Sequence, residues 1–199
     1  RAVLDYWRCA MLPLRDPEAE TGHRDDLDAI SAALTPEVLR QTTAGWDLSA
    51  LRAAGGSVAA DLAAGTEWTG IGGSVVSSAP ELARLSLNIA TAHHDQTASA
   101  TGRRLVYGGH TIGIAAAHVG LALPDLATIV AWEHCDHLAP VFEGDTLFTD
   151  VVLERVEPLD DGALVHVRAR VRAVREGDGG DGSPDATDVL DWRLIAVQP

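Results

Sequence analysis

The sequence predicts an α+β domain in which an antiparallel sheet wraps around one central apolar helix. Three observations carry this. Thr111 to Leu123 is an uninterrupted, largely apolar run ended by Pro124, with Gly113, Ala115, Ala116, Ala117 and Gly120 inside it. Val165, Val167, Ala169, Val171 and Ala173 alternate strictly with His166, Arg168, Arg170 and Arg172, the period of two of a half-buried antiparallel strand. After one strand-like segment ahead of it, that helix is followed by several further strand-like segments rather than by alternating helices, which separates the pattern from a parallel βαβ fold. With 199 residues, 46% of them hydrophobic, the chain is long enough for one large domain, or one domain with an appendage.

The elements read in order as follows. Residues 1–60 form short helices and loops. Asp25 to Leu34 sets Leu27, Ile30 and Leu34 on one face, and Thr35-Pro36-Glu37 has the capping hydroxyl, early Pro and early acid of a helix start. Trp46 to Leu51 is a further apolar patch, broken by Ala53-Ala54-Gly55-Gly56. These segments bury little by themselves and are expected to lie across something larger, as a linker or the remnant of a preceding half. Residues 61–199 are the main domain. Glu67 to Val76 is a strand interrupted by Gly70, Gly72 and Gly73, and Ser78-Ala79-Pro80-Glu81 has the form of a capping box. The helix it opens would bury Leu82, Leu85 and Ile89. A polar loop, Gln96 to Arg104, leads through Tyr107-Gly108-Gly109-His110 to the central helix, which is apolar around most of its circumference and so belongs inside the fold. Ala127 to His137, Phe148 to Val156, the alternating strand after the Asp160-Asp161-Gly162 turn, and Val189 to Val197 complete the sheet, with a solvated loop over 177–188. A sheet wrapped around such a helix is the hotdog fold.

Composition narrows the function. The formal net charge is −14, and all 15 basic residues are Arg. An acidic chain without a basic run repels phosphate backbones and anionic lipid, so nucleic-acid and membrane-surface partners are not expected. Cys9 and Cys135 lack metal or redox spacing, which fits a reducing cytoplasm. The longest apolar run is too short to span a bilayer. The first residues do not read as a secretory signal, and a start without Met is expected either from processing that removed residues or from a piece of a longer polypeptide.

Ser86-Leu87-Asn88-Ile89-Ala90-Thr91-Ala92-His93-His94-Asp95 gathers polar side chains at the end of a helix. Here the chain resembles the MaoC-like (R)-specific enoyl-CoA hydratase family, which carries S-G-D-x-N-P-x-H-x-D before its central helix. On that pattern Ser86, His93 and Asp95 fall on the family's Ser, His and second Asp, and Asn88 on its catalytic Asp; Ala90 and Thr91 replace Asn-Pro. The branch with mesaconyl-CoA hydratase and the mitochondrial 3-hydroxyacyl-thioester dehydratase has Asn at this place and keeps the His. Leu105-Val106-Tyr107-Gly108-Gly109-His110 resembles the family's V-x-H-G start of the central helix, with Tyr107 in place of His. Ala139 to Leu147, A-P-V-F-E-G-D-T-L, resembles its P-V-x-x-G-D-T-L strand start. The likeness covers roughly 65–199.

The resemblance implies reversible hydration of a 2-enoyl-CoA, or the acyl-carrier-protein thioester, to a 3-hydroxyacyl thioester. It implies no redox cofactor and no metal, with coenzyme A present only as part of the substrate. A base that titrates near neutrality suits the reaction, so His93 is the candidate general acid/base. Asn88 would orient water through its amide oxygen but cannot take a proton, which leaves Asp95 or His94 to assist. The central helix supplies free N–H groups for the thioester oxygen, with Gly108 and Gly109 permitting close approach; one such donor is worth roughly 3 kcal/mol. Ser86 joins them through the motif, and Arg103 and Arg104 are eligible to meet the coenzyme phosphates, as is the Arg168, Arg170, Arg172 stripe. The plainer readings are that His93 satisfies a nearby carbonyl, Asn88 caps a helix end, Asp95 caps the next segment, His118 is a core side chain and the Arg stripe is a solvated face. On β-strand alternation, Glu133, Cys135 and His137 share one face and His134 and Asp136 the other, but no distal cluster completes a metal site. A lone hotdog leaves a sheet edge and a helix face open, so pairing with a second hotdog is expected, as a homodimer or with a missing half. The alternatives are a non-catalytic acyl-binding or structural hotdog, and a hotdog thioesterase.

Overall fold

The computed structural model describes residues 6, 14–24, 34–54, 62–99, 101–175 and 185–199. Five antiparallel strands form one sheet in the order β1-β3-β4-β5-β2: β1 Glu67–Val75, β2 Thr128–His137, β3 Thr146–Pro158, β4 Ala163–Arg175 and β5 Asp185–Gln198. The α-helices among the described residues are α1 Pro36–Thr43, α2 Ser49–Ala53, α3 Ala79–Leu85 and α4 Gly108–Ala122. Helix α4 is the central helix, and the fold is the expected α+β hotdog. Inward side chains of β3, β4 and β5, among them Val151, Leu153, Val165, Val167, Val171, Leu190 and Trp192, make the main core with Ala115 and Val119 of α4. The alternation in β4 works as read: its Val and Ala positions are buried, while Arg168 and Arg172 pair across strands with Asp191 and Asp150 on the outer face. These carboxylates already occupy the guanidinium forks, so the outer-face reading of the stripe applies to both.

His118 is the polar exception in this core. Its ring nitrogens lie 2.8 Å from Ser74 Oγ on β1 and 2.8 Å from Thr149 Oγ1 on β3. Gly72, at φ +105°, lets β1 pass over the ring, since any Cβ there would overlap it. His118 is thus a satisfied core side chain that pins α4 to two strands.

Residues 34–54 lie on the opposite face of the sheet. Thr35 caps α1 through its hydroxyl, which accepts the Val38 N–H at 3.3 Å. Leu39 and Leu48 then bury against Leu164, Ile195 and Val197, the outward set of β4 and β5. Asp161 secures the segment by accepting the Leu48 N–H at 2.8 Å and pairing with Arg52. Most of the Asp25–Leu34 helix, and most of the 177–188 loop, fall outside the described residues, although 185–188 are strand.

Three expectations need correction. Ser78 sits at φ +54° with its side chain unused as a cap; instead Glu143 Oε1 accepts the Ala79 N–H at 3.2 Å. Helix α3 is only seven residues long and buries Ala79 and Ala83, while Leu85 and Ile89 are 79% and 91% exposed. The chain leaves helical geometry at Leu87, at φ +57°, so the helical spacing that would have aligned Ile89 is lost. Helix α4 is buried on one side only: Thr111, Ala115, His118 and Val119 face the core, and Gly113, Ala117, Gly120 and Leu121 form an exposed apolar side. Among the described residues, no helix is long and apolar enough to cross a membrane.

Candidate active site

The segment between α3 and α4 is held by its own backbone and by two histidines. The Leu105 N–H donates to Ala92 O at 3.2 Å, and His93 Nδ1 lies 2.9 Å from Leu105 O. A carbonyl can only accept, so Nδ1 carries the hydrogen, and the neutral ring has its lone pair on Nε2. His94 Nε2–H donates to Asn88 O, and Arg104 Nε donates to His94 O at 3.3 Å. The loop is thereby closed on itself, with His93 turned toward the start of α4. Its ring stands edge-on to Tyr107, 6.1 Å between centroids.

His93 and that helix start share one open cleft of about 380 Å³. Its walls are His93, Leu105, Val106, Gly108 and Thr111 on one side and His137 with residues 138–141 on the other. Helix α4 begins at Gly108, three residues before the apolar run that starts at Thr111, so both glycines lie in its first turn. No side chain caps that turn, which leaves early N–H groups available to an acceptor in the cleft. The glycines have a steric reason as well. A Cβ on Gly108 would lie 2.5 Å from His137 Nε2, and one on Gly109 would overlap the Tyr107 hydroxyl.

Other sequence-selected residues lie elsewhere or are occupied. Asn88 Oδ1 accepts the Ala90 N–H at 3.1 Å, an Asx turn that takes up the oxygen expected to orient water, and Asn88 is not part of the cleft wall. Asp95 Oδ1 accepts from Thr97 N–H and Oγ1–H at 2.8 and 2.7 Å. These bonds hold its carboxyl below the usual range, so it stays an anion and caps the turn Gln96–Ala98. Ser86 Oγ donates back to Leu82 O at 2.8 Å and is exposed. Arg103 and Arg104 line a separate cleft of about 360 Å³ with Gln96, Phe142, Glu143 and Gly144. There Arg104 pairs with Glu143 at 2.6 Å, while Arg103 lies over the Phe142 ring and 3.3 Å from the buried Asp145. They fasten the Phe142–Asp145 turn to the loop rather than meeting His93.

His137, which the sequence offers only as a possible metal ligand, also lines the cleft. Among the described residues, no group of three or more His, Cys, Asp or Glu side chains is placed to hold a metal ion. Its strand neighbour Cys135 is a free thiol that burial, with Asp136 nearby, pushes up to about 11, so it is a protonated and poor ligand at neutral pH. No local spacing in the sequence marks His137; it comes to the cleft because β2 ends beside the first turn of α4.

No family model matches the chain. It is 38% identical over 95 residues to mesaconyl-CoA hydratase of Cereibacter sphaeroides, covering 47% of this chain and 27% of that protein. It is 28% identical to beta-methylmalyl-CoA dehydratase of Chloroflexus aurantiacus over 99% of this chain and 60% of that one. Among solved structures it matches a Mycobacterium tuberculosis protein described as a double hotdog, with a TM-score of 0.69 and 40% identity, over 97% of this chain and 53% of that one. The chain therefore spans between about a quarter and three fifths of the length of these relatives. The motif-based resemblance and the hotdog fold agree with what these comparisons find.

Proposed function

We propose that this chain, a relative of the MaoC-like hotdog hydratases and dehydratases, takes part in the reversible addition of water to a 2-enoyl-CoA, giving a 3-hydroxyacyl-CoA. The observation that carries the reading is the shared cleft: an imidazole with its Nδ1 already spent on a backbone carbonyl faces an uncapped helix N-terminus across space large enough for a thioester. In the forward direction His93 Nε2 takes a proton from water as the water oxygen bonds to C3. The C2=C3 electron pair shifts toward the thioester, whose oxygen becomes an enolate held by the first N–H groups of α4. His93 then returns its proton to C2. Electron count on the substrate is unchanged, so the reaction needs neither redox cofactor nor metal, and coenzyme A enters only as part of the substrate. The carrier is coenzyme A or an acyl-carrier protein, and the setting is the cytoplasm, as the acidic two-cysteine sequence favours.

Pairing with a second hotdog belongs to the same reading. Gly113, Ala117, Gly120 and Leu121 leave an apolar side of α4 open, Leu85, Leu87 and Ile89 are exposed beside the site, and the chain covers 53% of a double-hotdog neighbour. A second unit, as a homodimer partner or another half, would cover both.

One observation favours a different reading, a non-catalytic acyl-binding hotdog: no carboxylate lines the cleft. Loss of enoyl-thioester absorbance with crotonyl-, octenoyl- and mesaconyl-CoA decides between them. For a catalytic site, His93→Ala lowers hydration by on the order of 10²-fold or more while acyl-CoA still binds. If the intact protein binds acyl-CoA and hydrates none of the three, the binding module replaces the enzyme.

A further inference from the structure

His93 is one imidazole on one wall of the cleft; a second stands on the facing wall. His137 ends β2, and its Nε2 edge abuts the α carbon of Gly108, where a Cβ would come within 2.5 Å. It lines the cleft together with His93 and Thr111. Among the described residues, its ring takes no hydrogen bond, whereas the rings of His93, His94 and His118 are each bonded. The ring is exposed in the open cleft, set against the helix N-terminus without a protein partner, and so is available to whatever enters between them.

We propose that His137 is a second catalytic imidazole of this cleft, a neutral N–H donor to the thioester oxygen beside the first amides of α4. The assignment rests on the hydratase reading above and gives that site the polar group it lacks once Asn88 is spent on its own turn. As water adds to C3 and His93 takes the water proton, the C2=C3 pair moves to make the enolate. Its C–O⁻ then accepts from His137 N–H as well as from the α4 amides. When the oxygen's electron pair returns and C2 takes the proton from His93, His137 is left as it began, neither gaining nor losing a proton. Two physical facts suit a neutral donor. Desolvation draws the His137 pKa below the ordinary histidine value, against an upward pull from Asp136. The positive end of the α4 dipole also disfavours an imidazolium beside it. A neutral ring donates without trapping the enolate by protonating its oxygen.

The test is hydration kinetics of the full chain with the best substrate of the three-thioester scan, on His137→Ala, His137→Gln and His93→Ala. A donor at the enolate acts only in the transition state, so His137→Ala is expected to lower kcat by on the order of 10²-fold with KM within about threefold. His137→Gln keeps an N–H at similar reach and is expected to restore kcat to within about tenfold of the parent. A kcat for His137→Ala within about threefold of the parent, alongside a collapsed His93→Ala, removes His137 and leaves the hydratase standing. Equal losses in the Ala and Gln variants with a lowered Tm assign the ring to packing against Gly108 and also overturn the proposal. No hydration by the intact chain overturns both readings at once.

Discussion

His118→Leu tests whether the buried imidazole holds the central helix to the sheet. The substitution keeps a similar volume but removes both hydroxyl partners' only ring contact. Thr149, fully buried, and Ser74 each lose a hydrogen bond of 2.8 Å. Each bond contributes about 1 kcal/mol net, and a buried hydroxyl left without a partner costs about 1–3 kcal/mol more. Ser74 sits on the edge strand and regains water; Thr149 does not. The expected loss is therefore roughly 2–4 kcal/mol, most of it the orphaned Thr149. Adding Thr149→Val removes that orphan, so the double variant is expected to be more stable than His118→Leu alone by about 1 kcal/mol or more. Urea unfolding followed by Trp fluorescence reads this, since Trp192 is buried against Trp132 at 5.1 Å. A double variant no more stable than His118→Leu would refute the orphan-hydroxyl account, and a single variant within about 0.5 kcal/mol of the parent would refute the pinning itself.

Desolvation lowers the pKa of His110, His118 and His137, with Glu143 opposing it at His110 and Asp136 at His137. The unfolded chain then binds more protons than the folded one below about pH 6.5, so stability is full above that value and falls as pH drops toward the lowered folded values. The urea midpoint should decline between pH 7.5 and 5.5, before the depressed carboxylates such as Asp191 begin to titrate, and decline less in His118→Leu; a flat midpoint contradicts this. Leu48→Ala empties the buried contact of residues 34–54 with Leu164, Ile195 and Val197 and is expected to cost about 2–3 kcal/mol in unfolding free energy. Because that contact lies on the opposite face of the sheet from the cleft, kcat should stay unchanged, and a parallel loss of activity would mean that the N-terminal segment reaches the site.

Regular elements were legible because their periodicity is a direct consequence of burial. The Val/Arg alternation of β4 needed only the period of two, and Thr35 only a hydroxyl before Pro36. What escaped was whatever depended on a distant partner. The capping-box form at Ser78 to Glu81 is right in letters, yet the cap comes from Glu143, 64 residues on, because a serine at positive φ cannot aim its hydroxyl into the turn. The composition of α4 is apolar all round. The described residues, however, hold one sheet to lay against it, so a side of small residues stays bare.

The candidate site divides along the same physical line. His93 and Gly108 were readable because a motif fixes both their chemistry and their order, and the chain between them is short enough for Leu105 to tie the two ends together. Asn88, Asp95 and Ser86 belong to the same motif but lose their expected roles to bonds within four residues of themselves. Short polar side chains in a loop find a local backbone partner before they find a cleft. His137 shows the converse. No local motif surrounds it, and it reaches the site because β2 ends beside the start of α4, an adjacency that exists in the folded chain and nowhere in the linear spacing. A residue whose role is set by the end of a strand can be recognised only after the strand has a neighbour, so the facing wall of the cleft had to come from the structure.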